Sequence, residues 1–150
     1  MFFEPKNYPN LHAGNYRDTG EATHDYHCIG WAIGRDDEWW DPAEPEPWED
    51  NFYWPANVPR DYRATSVVMA FESAGFAVCA DASLEEGVEK IVLYADGPEF
   101  THAARQLETG KWTSKMDPDE RIEHDTPEDL VGPWCGQIAT YMQRKRLENA

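Results

Sequence analysis

Apolar positions along the chain follow two regimes. Between residues 61 and 75 they recur at helical spacing. Val67, Val68, Phe71 and Ala74 make one stripe, and Gly75 supplies the residue that ends a helix. From residue 76 onward, short apolar runs alternate with turn signals, which predicts strands. Phe76–Cys79 reads as one strand, with Cys79 as a buried small apolar residue, and Glu89–Ala95, holding Ile91, Val92, Leu93 and Tyr94, is the clearest. Asp96-Gly97-Pro98 and Glu108-Thr109-Gly110 read as turns. They bracket strands at Phe100–Leu107 and Lys111–Lys115, and Arg121–His124 adds a short one. The result is an antiparallel meander. Ser83 with Glu86 has capping-box spacing, and Thr126-Pro127-Glu128-Asp129 is a helix start with a cap, a proline and first-turn acids. Gln137–Leu147 reads as a terminal helix whose last turn carries Arg144, Lys145 and Arg146.

The first third is less regular. Residues 1–24 are rich in Asn, Tyr, Pro and Gly without a helical period, and read as an irregular arm. Residues 28–35 predict a short helix, capped by His24 or Asp25 and ended by Gly34, with Ile29, Ala32 and Ile33 facing inward. Residues 36–60 hold Trp39, Trp40, Trp48 and Trp54 among prolines 42, 45, 47, 55 and 59, a density that forbids a regular helix or central strand. These tryptophans either line a cleft near Cys28 or anchor the loop to the core. A helix bearing Cys28, a second helix, an antiparallel sheet and short helices make one α+β domain over residues 1–150.

Charge narrows the partners. The chain carries a net −16, from 29 acids against 13 Lys and Arg. That argues against binding a nucleic-acid backbone. Eight carboxylates lie in Asp36–Asp50 and seven in Asp117–Asp129, which form a solvated acidic surface or a face that attracts a basic partner. No apolar run is long enough to span a membrane, and the first residues lack the apolar stretch of a signal peptide. The expected location is the cytoplasm, or that of an effector delivered without such a signal. Cys28, Cys79 and Cys135 are too few and too widely spaced for a disulfide framework. His24, His27 and Cys28 are close, but no second cluster has metal-ligand spacing, so neither a metal nor another cofactor is expected.

The chemistry concentrates in two segments, His27-Cys28-Ile29-Gly30-Trp31-Ala32-Ile33-Gly34 and Thr101-His102-Ala103-Ala104-Arg105. A cysteine opening a helix lies at the positive end of the helix dipole, which favours the thiolate. A histidine from a distant strand can act as its base. With the hairpin Gly110-Lys111-Trp112-Thr113-Ser114-Lys115 and the segments Ile122-Glu123-His124 and Leu130-Val131-Gly132, this layout resembles the papain-like cysteine hydrolase superfamily. Within it, the chain looks most like compact NlpC/P60-type peptidases and their toxin-like relatives. The likeness covers residues 15–136.

The resemblance implies Cys28 as nucleophile and His102 as general base. It also implies a backbone oxyanion donor at Cys28, with a second from Tyr26 or His27. A third polar group would orient the imidazole, with His124 favoured and Ser114 second, and Thr113 or Glu123 nearby. His27 and Ile29 flank Cys28 where the family often has Asp and Ser, so the likeness does not extend to peptidoglycan specificity. The Trp-rich insert has no counterpart in the pattern. Trp39, Trp40 and Trp54 are the candidate substrate-binding aromatics. Lys115 would hold an acidic substrate group or be solvated at the hairpin end.

Two functions follow. The first is hydrolysis of an amide bond, as a peptidase, amidase or deamidase, in a peptide or protein substrate for which the acidic charge favours basic character. The second is an inactive papain-like scaffold or acidic mimic that binds a basic protein partner, of anti-defence or immunity type.

Overall fold

The computed structural model describes residues 6–20, 28–34, 39–42, 52–116 and 120–146. Its frame is an antiparallel seven-stranded sheet in the order β1-β8-β7-β6-β5-β9-β4. The strands are β1 (Tyr16–Gly20), β4 (Ala77–Cys79), β5 (Val88–Asp96), β6 (Glu99–Gln106), β7 (Trp112–Met116), β8 (Glu120–His124) and β9 (Gln137–Lys145). Two helices, α1 (Cys28–Ile33) and α2 (Ala64–Ser73), accompany it. A parallel two-residue ladder joins β2 (Trp39–Trp40) to β3 (Phe52–Tyr53). The α+β class expected from the sequence holds at this level. Among the described residues no helix is long and apolar enough to cross a membrane.

A central strand buried on both faces loses the alternation of a half-buried one. β5 does this: Ile91 and Leu93 enter a core shared with α1 and α2, while Val92 and Tyr94 enter a second core on the opposite face. The first core also holds Cys28, Ile29, Trp40, Trp54, Val67, Phe71, Phe100 and Met142. The second holds Leu11, Ala104, Trp112, Ile122, Leu130 and Cys135. The α2 stripe is as expected, with Val67 and Phe71 fully buried and Val68 and Ala74 partly so. Gly75 follows with φ +97°, the left-handed turn that releases the chain toward β4.

Several expectations are corrected. Gln137–Lys145 is a strand, not a helix, and lies between β5 and β4. Ile138, Tyr141 and Met142 fit helical spacing, but β5 offers an unpaired edge, and tertiary pairing overrides the local pattern. Arg144 therefore does not neutralise its own helix end. It reaches from β9 to both helices, donating from Nη1 to the Ala74 carbonyl at 2.9 Å and from Nη2 to the Ile33 carbonyl at 2.6 Å.

Within the stretch read as an irregular arm, Tyr16–Gly20 pairs with β8. Within the Trp/Pro-rich stretch, β2 and β3 pair. Ser83 and Glu86 open no helix; Asp81, Ser83 and Glu85 instead surround the buried Lys90 ammonium. Cys79 is half-buried on edge strand β4. The segment opened by Thr126 is a single 3₁₀ turn, Pro127–Leu130, with the expected cap and proline and with a capping box closed by Asp129.

Candidate functional site

The sheet forks between β6 and β7. The two strands pair only through Arg105–Thr113 and Gln106–Trp112. Beyond that, residues 99–104 stay with β5 and residues 114–116 stay with β8. α1 packs across both strands, with Cys28 as its first residue. Trp31 fixes the helix there. Its Nε1 donates to Thr113 Oγ1 at 3.0 Å, and the guanidinium carbons of Arg105 and Arg121 lie 4.7 and 4.9 Å from its ring centroid. Such contacts add cation–π attraction to the burial of the ring.

His102 owes its orientation to a β-bulge. Tyr94 faces His102 and Ala95 faces Phe100, leaving Thr101 as an extra residue. The bulge moves His102 off the face of Phe100 and onto that of Tyr94, whose ring centroid is 5.6 Å away. His102 is 6% exposed, and its Nε2 is buried with no hydrogen-bond partner among the described residues. An unsatisfied buried polar atom costs about 1–3 kcal/mol, so native structures rarely keep one.

Ser114 and His124 lie on the same face, because Trp112 pairs with His124 and Ser114 with Ile122. Both are fully buried. His124 Nδ1 is 2.9 Å from the Thr126 carbonyl, and Nε2 is 2.8 Å from Ser114 Oγ. A carbonyl only accepts, so Nδ1 carries the proton and Nε2 accepts from the Ser114 hydroxyl. Burial pushes the His124 pKa down to about 4; the nearby His102 adds to this, and the Thr126 carbonyl opposes it. His124 is thus neutral and has both nitrogens engaged. It has none to spare for His102, whereas Ser114 Oγ retains acceptor capacity.

Cys28 is buried in the helix-side core beside Trp40, Trp54 and Phe100. Burial, with a smaller contribution from Cys28, pushes the Cys135 thiol up to about 12. Burial and then Asp41 raise the Tyr62 hydroxyl, and Cys28 adds to that shift. Cys135 belongs to the opposite core, and its carbonyl accepts a hydrogen bond from Thr101, the residue before His102. Cys28 thus belongs to the helix-side core, whereas His102 faces Tyr94 on the opposite side of the sheet.

The other sequence candidates divide. Lys115 is 4% exposed rather than solvated. It shares strand parity with Thr113, on the α1 side. Trp40 and Trp54 are core residues, and Trp54 Nε1 donates to the Pro59 carbonyl at 3.0 Å. They anchor their segment, as one of the two readings expected. The side chain of Trp39, together with Trp48, His24, Tyr26 and His27, lies outside the described residues, as do the carboxylates of Asp36–Asp50 other than Asp41 and those of Asp117, Asp119 and Glu120. Among the described residues no group of three or more His, Cys, Asp or Glu is placed to hold a metal. Sequence reasoning gave Thr101, Tyr94 and Arg105 no role of their own. The first two act through a bulge and a cross-strand contact, which leave no spacing signal.

A sequence profile for a domain of unknown function, DUF7689, matches residues 17–143. No curated protein and no solved structure matches the chain.

Proposed function

Because that match spans most of the chain, the protein belongs to the DUF7689 family, and within it we propose a thiol hydrolase of amide bonds, with Cys28 as nucleophile and His102 as base. One observation carries the reading: the buried Nε2 of His102, with no hydrogen-bond partner among the described residues, on the strand β6 whose other face α1 covers with Cys28. The papain-like layout noted in the sequence agrees with it. His102 takes the Cys28 proton, and the thiolate sulfur attacks the amide carbon. The resulting oxyanion faces backbone N–H groups at the start of α1. Collapse breaks the C–N bond as imidazolium protonates the leaving amine, giving a thioester. Water, deprotonated by His102, then attacks that thioester, and the C–S bond breaks to restore the thiol. Ser114, hydrogen-bonded to the neutral His124, is the polar group best supplied to orient the imidazole. The substrate class is a peptide or protein side chain, with basic groups favoured by the net charge.

The test is iodoacetamide labelling of Cys28 against pH, read by mass spectrometry in wild type and His102→Ala, with half-buried Cys79 as internal reference. The expected result is fast labelling of Cys28 with a midpoint below the value of about 8.5 for a free thiol, lost in His102→Ala. Slow labelling that ignores His102 would overturn the pairing.

A further inference from the structure

On the helix side of the sheet a polar pair lies near Cys28. Asp41 follows directly on β2, and its own N–H donates to the Tyr53 carbonyl at 3.2 Å. The residue before it, Trp40, is buried in the same core as Cys28, and Asp41 itself is 8% exposed. Tyr62 comes from the segment ahead of α2, whose backbone is tied to β6. The Tyr62 carbonyl accepts from the Phe100 N–H at 2.7 Å, and Arg63 bridges Glu99. Phe100 is another member of the Cys28 core. The Tyr62 hydroxyl donates to Asp41 Oδ1. Burial and then Asp41 hold the proton on that hydroxyl, and Cys28 adds to the effect, so the thiol lies within its electrostatic reach.

The chemistry of this pair is one-sided. A phenol has one proton, and Tyr62 directs it to Asp41, so toward any other group its oxygen acts only as an acceptor. Donation to a carboxylate also makes that oxygen a better acceptor, because linked hydrogen bonds polarise one another. The charge behind it favours an N–H donor, neutral or cationic, and opposes a second anion. The pair is not sealed in the core. Tyr62 is 38% exposed, as is Tyr53 at 39%, and the Tyr53 ring lies 4.4 Å between centroids from that of Trp40. Arg60 Nη1 donates to the Pro42 carbonyl at 3.3 Å, so a cationic N–H donor is already accommodated one residue away.

We propose that Tyr62 and Asp41 form a substrate subsite beside Cys28, in which Tyr62 Oη accepts an N–H of the substrate amide and Asp41 turns away carboxylates. Resting on Cys28 as the nucleophile proposed above, but not on the choice of base, this subsite narrows the substrate to primary or secondary amides without an adjoining carboxylate. Tertiary amides have no N–H to offer and are disfavoured. Tyr62 is then a specificity residue, and Asp41 positions it.

The experiment alkylates the full chain at one fixed pH with three reagents: N-ethyl-iodoacetamide, its isomer N,N-dimethyl-iodoacetamide, and iodoacetate. Rates at Cys28 are read by mass spectrometry and normalised to those of N-acetylcysteine amide. Ratios between reagents cancel the thiolate fraction of Cys28, so they report the subsite and not the ionisation. The N-ethyl reagent is expected to react about fivefold faster than its isomer, which lacks the N–H, and about tenfold faster than iodoacetate. Tyr62→Phe should bring the first ratio to about one. Asp41→Asn, which still offers Tyr62 an acceptor, should lower the second to about threefold or less. Both variants are first shown to unfold cooperatively in urea, and Asp41→Asn decides if Tyr62→Phe does not fold. Equal rates for the two isomers, ratios that ignore both substitutions, or no labelling of Cys28 by any reagent would overturn the proposal. The expected ratios with a pH midpoint that ignores His102 would leave the subsite standing while the hydrolase reading fails. A His102-dependent midpoint with equal ratios would do the reverse.

Discussion

Acidification isolates the one buried imidazole whose protonation is fixed by geometry. The pKa of His124 lies at about 4 in the folded chain against an ordinary 6.5. Between those values the unfolded chain binds a proton that the folded chain refuses. Stability is therefore fully present above pH 6.5, falls as pH drops, and has lost the His124 contribution once pH passes below about 4. A difference of about 2.5 units corresponds to about 3 kcal/mol. The assay is urea unfolding from pH 7 to 4 in wild type and His124→Gln. The variant starts lower, because Ser114 loses its acceptor at a cost of about 1–2 kcal/mol, but that deficit does not vary with pH. Carboxylates titrate alike in both proteins and cancel in the difference. Wild type should lose about 3 kcal/mol more than the variant across this range. Curves parallel within about 0.5 kcal/mol would refute a neutral His124 locked between Ser114 and Thr126.

Two further substitutions probe what holds the fork in place. Arg144→Met removes donors to the Ile33 and Ala74 carbonyls and the partner of Glu89. Urea unfolding should show a loss of about 3 kcal/mol, with Arg144→Lys recovering no more than about half; a loss under about 1 kcal/mol would remove Arg144 as the tie between sheet and helices. Gly136 has φ +77°, and a Cβ there would lie 2.3 Å from the Ala95 carbonyl oxygen. Gly136→Ala should cost about 3 kcal/mol in the same assay, and a neutral effect would mean the 132–136 loop does not press on β5 as described.

The elements most legible in the sequence were those whose pattern is local. The α2 stripe, the β5 run and the turns at Gly97 and Gly110 need only neighbours a few residues away. β9 was misread because Ile138, Tyr141 and Met142 satisfy a helical period. What decides their state is an edge of β5 some 45 residues earlier in the chain. Tyr16–Gly20 failed for a similar reason, since its partner is Arg121–His124. At the site, the residue types at 28, 102, 114 and 124 were readable as chemistry. Which nitrogen of His124 is protonated, and which face His102 occupies, were not. The first depends on the Thr126 carbonyl and the second on a single extra residue, Thr101.

That extra residue has a physical consequence. Strand side chains alternate, so a one-residue change in register sends every later side chain to the other face. Without the bulge, His102 would share the face of Phe100 and the helix-side core. With it, His102 stands against a wall that is otherwise satisfied. Tyr94 donates to the Pro127 carbonyl, His124 to the Thr126 carbonyl and Ser114 to His124, and Thr126 is itself closed by Asp129. Looseness of the surroundings therefore does not explain why Nε2 of His102 has no partner among the described residues. An imidazole held in a rigid setting with an open nitrogen suits a partner that comes and goes, such as a thiol proton, a water or a leaving amine. α1 has only six residues and a correspondingly weak dipole. If Cys28 is activated, most of that activation must come from His102, and His102→Ala is the variant that should abolish it.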